Sequence, residues 1–71
     1  MASEAMTKLL DHLYAVGGIE RVLRYQRSEI ELYEYEVNAA KTNPELIPAA
    51  RELEAGVRQT RAWLEGHGAF S

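Results

Sequence analysis

The sequence predicts an all-α protein: a short N-terminal helix beside a long antiparallel helical hairpin, forming a small three-helix bundle that self-associates. Apolar residues recur at alternating steps of four and three through two long segments, the coiled-coil-like spacing of packed helices. Helix-breaking glycines and prolines separate these segments at Gly17–Gly18, Pro44 and Pro48. The chain has 71 residues and no cysteine, so its core is small, lacks disulfide support and favours association.

The first predicted helix covers about residues 4–16. Ser3 precedes it and is a residue type that caps helix N-termini with its side-chain oxygen. Its apolar residues fall on one face: Met6, Leu9, Leu10, Leu13 and Val16. The Gly17–Gly18 pair predicts its end, because glycine adopts the left-handed conformation that commonly stops a helix.

The second predicted helix covers about residues 19–41 and includes a segment that resembles a strand. This segment, SEIELYEYEV at 28–37, alternates charged and apolar residues, but the alternating apolar face changes sides after Leu32. The four–three spacing continues without a break through Ile19, Leu23, Gln26, Ile30, Tyr33, Val37 and Ala40. We therefore expect residues 28–37 to be helical.

The third predicted helix covers about residues 48–65. Asn43–Pro44 favours a turn, and Pro48 would clash within a helix already under way, so residues 44–47 are predicted as a short turn. The third helix has its own four–three series: Leu46, Ala50, Leu53, Val57, Thr60 and Leu64. Two matched series predict an antiparallel hairpin, with Ile30 near Thr60 and Glu29 flanking Arg61.

The second helix also carries features that predict a homo-oligomer, a dimer or larger. A second apolar stripe of Val22, Tyr25, Leu32 and Ala39 is too long for the short first helix to cover. Arginines occupy the N-terminal half of the helix and glutamates the C-terminal half, which opposes the helix dipole. An antiparallel copy crossing near Ser28 would place Arg24 near Glu34. The same crossing would place Arg27 near Glu31, a self-complementary arrangement.

The favoured functional interpretation is non-enzymatic protein binding, as a small adaptor or inhibitor. The binding residues would be Glu31, Leu32, Glu34 and Tyr35, on an acidic, tyrosine-containing helix face. Such a face complements a basic patch on a larger protein.

Two alternatives remain open. Arg21, Arg24 and Arg27 lie on one flank of the same helix with Tyr25 available for stacking. Arginines beside an aromatic ring are suited to an anionic small ligand such as a nucleotide, which an oligomer would sequester. The other alternative is a purely structural oligomerisation element.

Several classes are disfavoured by composition. A net charge of −3 does not suit general nucleic-acid binding. His12 and His67 fit no metal-ligand spacing, and no cofactor or catalytic motif is present, so neither a metal, a cofactor nor an enzyme is expected. The sequence has no secretory signal and no membrane-spanning segment, and a cytoplasmic protein is the default expectation.

Trp63 and Gly56 in the third helix are also informative. Trp63, the single tryptophan, is expected to anchor the core near the first two helices, with a partner contact as the alternative. Gly56 lies in the middle of the helix, where glycine costs about 1 kcal/mol relative to alanine. It either allows close helix approach opposite Tyr33 or is simply tolerated.

Overall fold

The computed structural model describes residues 3–70, and its regular structure is entirely helical. Helix α1 runs from Glu4–Thr42, a 3₁₀ turn follows at Pro44–Leu46, and helix α2 covers Ile47–Gly66. No strand occurs in this range, and the helical prediction for residues 28–37 is confirmed. The predicted domain of residues 1–71 extends beyond the described range by residues 1, 2 and 71.

Helix α1 is bent sharply at Gly18, whose φ of 70° and ψ of −165° are not helical. The Tyr25 hydroxyl donates a hydrogen bond to the Met6 sulfur at 3.7 Å, although these residues would lie about 28 Å apart along a straight helix. The chain therefore folds back at Gly18, giving an N-terminal arm (residues 4–17) and a C-terminal arm (residues 19–42).

This bend corrects the predicted three-helix bundle, because residues 3–70 form two helices and the first reverses direction. The expected interruption at Gly17–Gly18 is present, at Gly18, where the backbone leaves the helical conformation. Glycine makes this possible because it lacks a Cβ and tolerates a positive φ, which other residues rarely adopt.

The start of α1 is fixed by Ser3 in two ways. Its side-chain oxygen accepts a hydrogen bond from the Met6 amide at 3.2 Å, which satisfies one of the free amides of the first turn, as predicted. The Ser3 amide donates to the Gln59 side-chain oxygen at 2.9 Å, and the Gln59 amide group donates to the Ser3 carbonyl at 2.7 Å. The N-terminal arm is thus tied directly to α2.

The turn between the helices follows the predicted signals. The Asn43 side chain accepts a hydrogen bond from the Glu45 amide at 3.3 Å, and Pro44 begins the 3₁₀ turn. Helix α2 then starts at Ile47 and ends at Gly66, one residue outside the predicted range at each end. Pro48 sits in the first turn, where its missing amide hydrogen breaks no helical bond.

The N-terminal arm packs alongside α2 in the same direction. The Trp63 indole N–H donates to the Asp11 carboxylate at 3.0 Å, and the rings of Tyr14 and His67 are 5.6 Å apart further along. Because the arm starts beside Gln59, it covers only the end of the hairpin that is distant from the interhelical turn. The part of the hairpin nearer the turn lacks this cover.

The fully buried core consists of one side chain from each packed segment: Leu10, Val22 and Leu64. The half-buried apolar residues around it are Met6, Leu13, Ile19, Leu23, Tyr25, Trp63 and Ala69. Trp63 therefore lies against the core, and its indole also stacks on His67 with ring centroids 3.6 Å apart.

The helical register differs from the predicted one. Glu29, not Ile30, is buried against Thr60, while Ile30 lies at the edge of the contact and is 36% exposed. Arg61 pairs with Glu65 of its own helix at 3.9 Å instead of flanking Glu29. The C-terminal arm contacts both α2 and the N-terminal arm, so its buried face lies between the two predicted apolar stripes.

Candidate functional site

The predicted partner-binding residues lie on two adjoining sides of the C-terminal arm. Glu34 and Tyr35 follow Glu31 by three and four positions, so each lies beside Glu31 on one side of the helix, and all three are exposed. Tyr35 is 71% exposed, and it lines a shallow pocket together with Tyr33, Glu34, Val37, Asn38 and Lys41. Leu32, 50% exposed, lines a different groove.

The acidic side chains of this surface form no salt bridge within the described residues. Residues 3–70 contain three salt bridges, all of the i,i+4 type and all elsewhere: Lys8–Glu4, Arg58–Glu54 and Arg61–Glu65. Glu31 and Glu34 therefore face solvent as unpaired charges beside an exposed tyrosine. We call Glu31, Leu32, Glu34 and Tyr35 the acidic face.

Three of the four predicted anion-binding residues meet in one pocket. Arg21, Arg24 and Tyr25 line a pocket of about 280 Å³, whose other walls are Leu13 and Ser28. Neither arginine forms a salt bridge within residues 3–70. Arg27 is exposed but does not line this pocket, so the structure separates it from the other three.

Tyr25 connects this pocket to the interior. Its hydroxyl points to the Met6 sulfur, and burial raises its pKa, with a further contribution from the negative charge of Glu29. The ring, not the hydroxyl, is the part of Tyr25 that remains available to a ligand in the pocket.

The structure contains a cluster of buried polar side chains that the sequence pattern did not predict. Gln26, Glu29 and Thr60 are all buried where the C-terminal arm meets α2. The Thr60 hydroxyl donates to the Gly56 carbonyl at 3.0 Å and lies beside the Glu29 carboxylate. Within residues 3–70, oxygen Oε1 of Glu29 is buried and has no hydrogen-bond partner.

Gly56 makes room for this carboxylate. A Cβ atom at position 56 would lie 2.9 Å from the Glu29 oxygen Oε2 and 3.4 Å from the terminal methyl of Met6. Gly56 is therefore the site of close helix approach that the sequence indicated, but it faces Glu29. Tyr33, the predicted neighbour, donates instead to Glu54 at 3.2 Å.

Burial is the main reason why the pKa of Glu29 is raised above its ordinary value of 4.5, and the neighbouring Thr60 hydroxyl opposes this shift. A buried carboxylate is costly when it is charged and lacks a partner. The sequence signal for this site was Gly56, because Glu29 was expected to flank Arg61 and not to meet Thr60.

No family model, curated protein or solved structure matches the chain. Within residues 3–70, no group of three or more histidine, aspartate or glutamate side chains could hold a metal ion. The helices of this range also lack the combination of length and apolar composition needed to cross a bilayer.

Proposed function

We propose that the protein is a non-enzymatic protein-binding module, a small adaptor or inhibitor, which binds a larger protein with a basic patch through its acidic face. The observation that carries this proposal is the exposure of Tyr35, 71% accessible beside the unpaired carboxylates of Glu31 and Glu34. Tyrosine supplies a large contact area with few rotatable bonds, which is why it is enriched at binding hot spots.

The position of the acidic face on the fold supports the proposal. The N-terminal arm begins beside Gln59 and runs away from the interhelical turn, so Leu32 stays half exposed and Tyr35 largely exposed. They lie on a regular helix, and a partner would therefore bind a surface that is already ordered, with little entropic cost. The carboxylates would steer a basic partner toward this side.

The test is capture of partners from the cells that produce the protein, compared across matched variants. We expect Tyr35→Ala and Glu31→Arg to abolish capture of a specific partner while circular dichroism remains unchanged. Arg24→Ala, on the same helix but outside the acidic face, should bind as the unmodified protein does. Equal capture by all variants would contradict the proposal.

A second candidate function is sequestration of an anionic small ligand such as a nucleotide. It is favoured by the convergence of Arg21, Arg24 and Tyr25 in one pocket without salt bridges to either arginine. Calorimetry with a nucleoside monophosphate tests it: binding lost in Arg24→Ala and retained in Tyr35→Ala would replace the protein-binding proposal. Such binding should also weaken as ionic strength rises.

Self-association is part of the same proposal, because a second copy of the chain presents a basic patch of its own. Arg24 and Arg27 are exposed on the C-terminal arm, about one to three helical turns before Glu31 and Glu34. An antiparallel copy would bring opposite charges together on both sides of a two-fold axis. A heterologous partner would then compete with the homodimer for the acidic face.

A further inference from the structure

An apolar groove opens where the N-terminal arm begins and leaves the hairpin uncovered. Its volume is about 250 Å³. Both helices contribute to its walls, which are formed by Met6, Tyr25, Ser28, Glu29, Leu32, Glu52, Leu53 and Gly56. Most of these residues present carbon atoms, so the two carboxylates are its distinctive chemical feature.

Glu29 gives the groove an unsatisfied negative group. Glu29 is only 8% exposed, and its Oε1 atom has no hydrogen-bond partner in residues 3–70. No salt bridge of that range involves Glu29 or the exposed Glu52 at the groove. A carboxylate in apolar surroundings is stabilised when a cationic donor reaches it.

We propose that this groove binds a lysine side chain of a partner protein, with the ammonium group against the Glu29 carboxylate and the alkyl stem along Leu32 and Leu53. Lysine fits better than arginine because Oε1 of Glu29 is closed to solvent, so only one carboxylate oxygen can face the groove, whereas a guanidinium is matched by two. The four-carbon stem of lysine buries well against apolar side chains while its charged end seeks a polar partner.

This inference deepens the proposed function and rests on it only for the source of the lysine. Leu32 belongs both to the acidic face and to the groove, so a basic partner bound to the acidic face would have the groove within reach. Glu52 would add attraction at the groove for the same cation. The chemistry of the groove can be tested without the partner.

The experiment is an NMR titration of the full chain with lysine blocked at both ends, N-acetyl-lysine-N-methylamide. We expect saturable shifts at Leu32, Leu53 and Met6, and at least about tenfold weaker binding for Glu29→Gln, which loses a charge-assisted hydrogen bond. Glu31→Gln removes an exposed charge from the same helix and should leave the affinity unchanged. Tyr35→Ala should also leave it unchanged, which separates the groove from the acidic face.

The same titration with blocked norleucine, which has the alkyl stem without the ammonium group, shows whether charge matters. Equal shifts by norleucine and lysine, or unchanged lysine binding by Glu29→Gln, would overturn the proposal. Binding of free n-butylammonium without binding of blocked lysine would overturn the assignment to a protein side chain. In the unmodified protein, blocked lysine should also lower the pKa of Glu29 observed by NMR, and an unchanged pKa would contradict direct contact.

Discussion

Glu29 is the residue at which burial and charge are most clearly opposed. It lies between two helices beside the Thr60 hydroxyl, and within residues 3–70 its Oε1 atom has no hydrogen-bond partner. A neutral carboxyl group at this position could donate its proton to the Thr60 oxygen, and the hydroxyl of Thr60 already donates to the Gly56 carbonyl. The protonated form thus satisfies more of the buried polar atoms than the charged form does.

The first prediction follows from the raised pKa of Glu29. Between the ordinary pKa of 4.5 and the raised pKa of the folded state, folded Glu29 keeps a proton that the unfolded chain has released. The free energy of unfolding therefore falls as pH rises through this window. Glu29→Gln removes this dependence. We expect it to raise the free energy of unfolding by roughly 1 kcal/mol at pH 7, with the gain disappearing toward pH 4.

Urea unfolding at a series of pH values measures this effect. Glu31→Gln is the control, because Glu31 is exposed on the same arm and its substitution should leave the free energy of unfolding at pH 7 unchanged. A gain of the same size at pH 4 and pH 7 would show that the charge of Glu29 is not its cause.

For individual residues, the sequence predicted which side chains are exposed better than which are buried. Tyr35 and Glu31 were expected to be exposed, and they are, because charged residues on a helix surround them. Glu29 was expected to flank Arg61, because no pattern of apolar residues indicates that a carboxylate will be buried. Leu32 was correctly predicted to be left uncovered by the short first segment.

Between the two helices, the contact at Gly56 determines how closely α2 approaches the C-terminal arm. A Cβ atom at position 56 would lie 2.9 Å from Glu29 Oε2, which is closer than a carbon and an oxygen atom normally approach without a bond. Glycine costs helical stability at this position, and the close approach accounts for its use.

A double-mutant cycle tests this contact. Gly56→Ala should destabilise the unmodified protein, because the added methyl displaces the Glu29 carboxylate. In a Glu29→Ala background, Gly56→Ala should instead be stabilising, by up to about 1 kcal/mol from helix propensity. Denaturant unfolding of the unmodified protein, the two single variants and the double variant gives the coupling free energy between the two positions.

Gly66→Ala is the matched control, because a Cβ at Gly66 meets no atom within 4 Å. Its effect should be the same with and without Glu29. Additive effects of Gly56→Ala and Glu29→Ala would contradict direct contact between the two positions.

The elements themselves were predictable where local chemistry decides them. Ser3, Asn43 and Pro44 specify their helix ends through hydrogen bonds to nearby backbone groups, and α2 was located to within one residue. Gly17–Gly18 was recognised as an interruption, but a sequence does not distinguish a helix end from a bend within a helix. The register was wrong because it depends on where the N-terminal arm packs, which is a tertiary effect.

At the scale of the whole molecule, the N-terminal arm completes the packing of only one end of the hairpin. The fully buried apolar side chains are Leu10, Val22 and Leu64, and all lie at that end. A core this small is marginal for an isolated chain. The exposed outer side of the C-terminal arm, with basic and acidic halves, offers a surface on which a second copy would add apolar burial.

We therefore expect an antiparallel dimer through the C-terminal arm, detectable by light scattering at micromolar concentration. Leu32→Glu should dissociate it, because a charge would replace apolar burial at the interface. Arg24→Glu should weaken it, and adding Glu34→Arg should partly restore it, each charge pair contributing about 0.2–1 kcal/mol.

Ile47→Glu is the control for this prediction. Ile47 is 41% exposed but lies on α2, away from the proposed interface, so its substitution should leave the dimer intact. A monomer at micromolar concentration in the unmodified protein would contradict the proposed assembly.

The bend at Gly18 has a consequence for how the chain can be shared between molecules. If Gly18 took helical angles, α1 would become a straight rod of about 58 Å, and the N-terminal arm could no longer reach its own α2. Its partners there, Gln59 and Trp63 among them, are presented identically by another copy. Domain swapping would then restore every contact of the arm between two chains.

Gly18→Ala should therefore produce a swapped dimer, because alanine is disfavoured at a φ of 70° and favours the straight helix. The substitution is best made in the Leu32→Glu background, where association through the acidic face is removed. Light scattering should then report a dimer that exchanges slowly with monomer. Circular dichroism should show unchanged helical content. A destabilised monomer would show that the arm remains with its own chain, whereas a dimer would identify one glycine as the residue that keeps this fold within a single molecule.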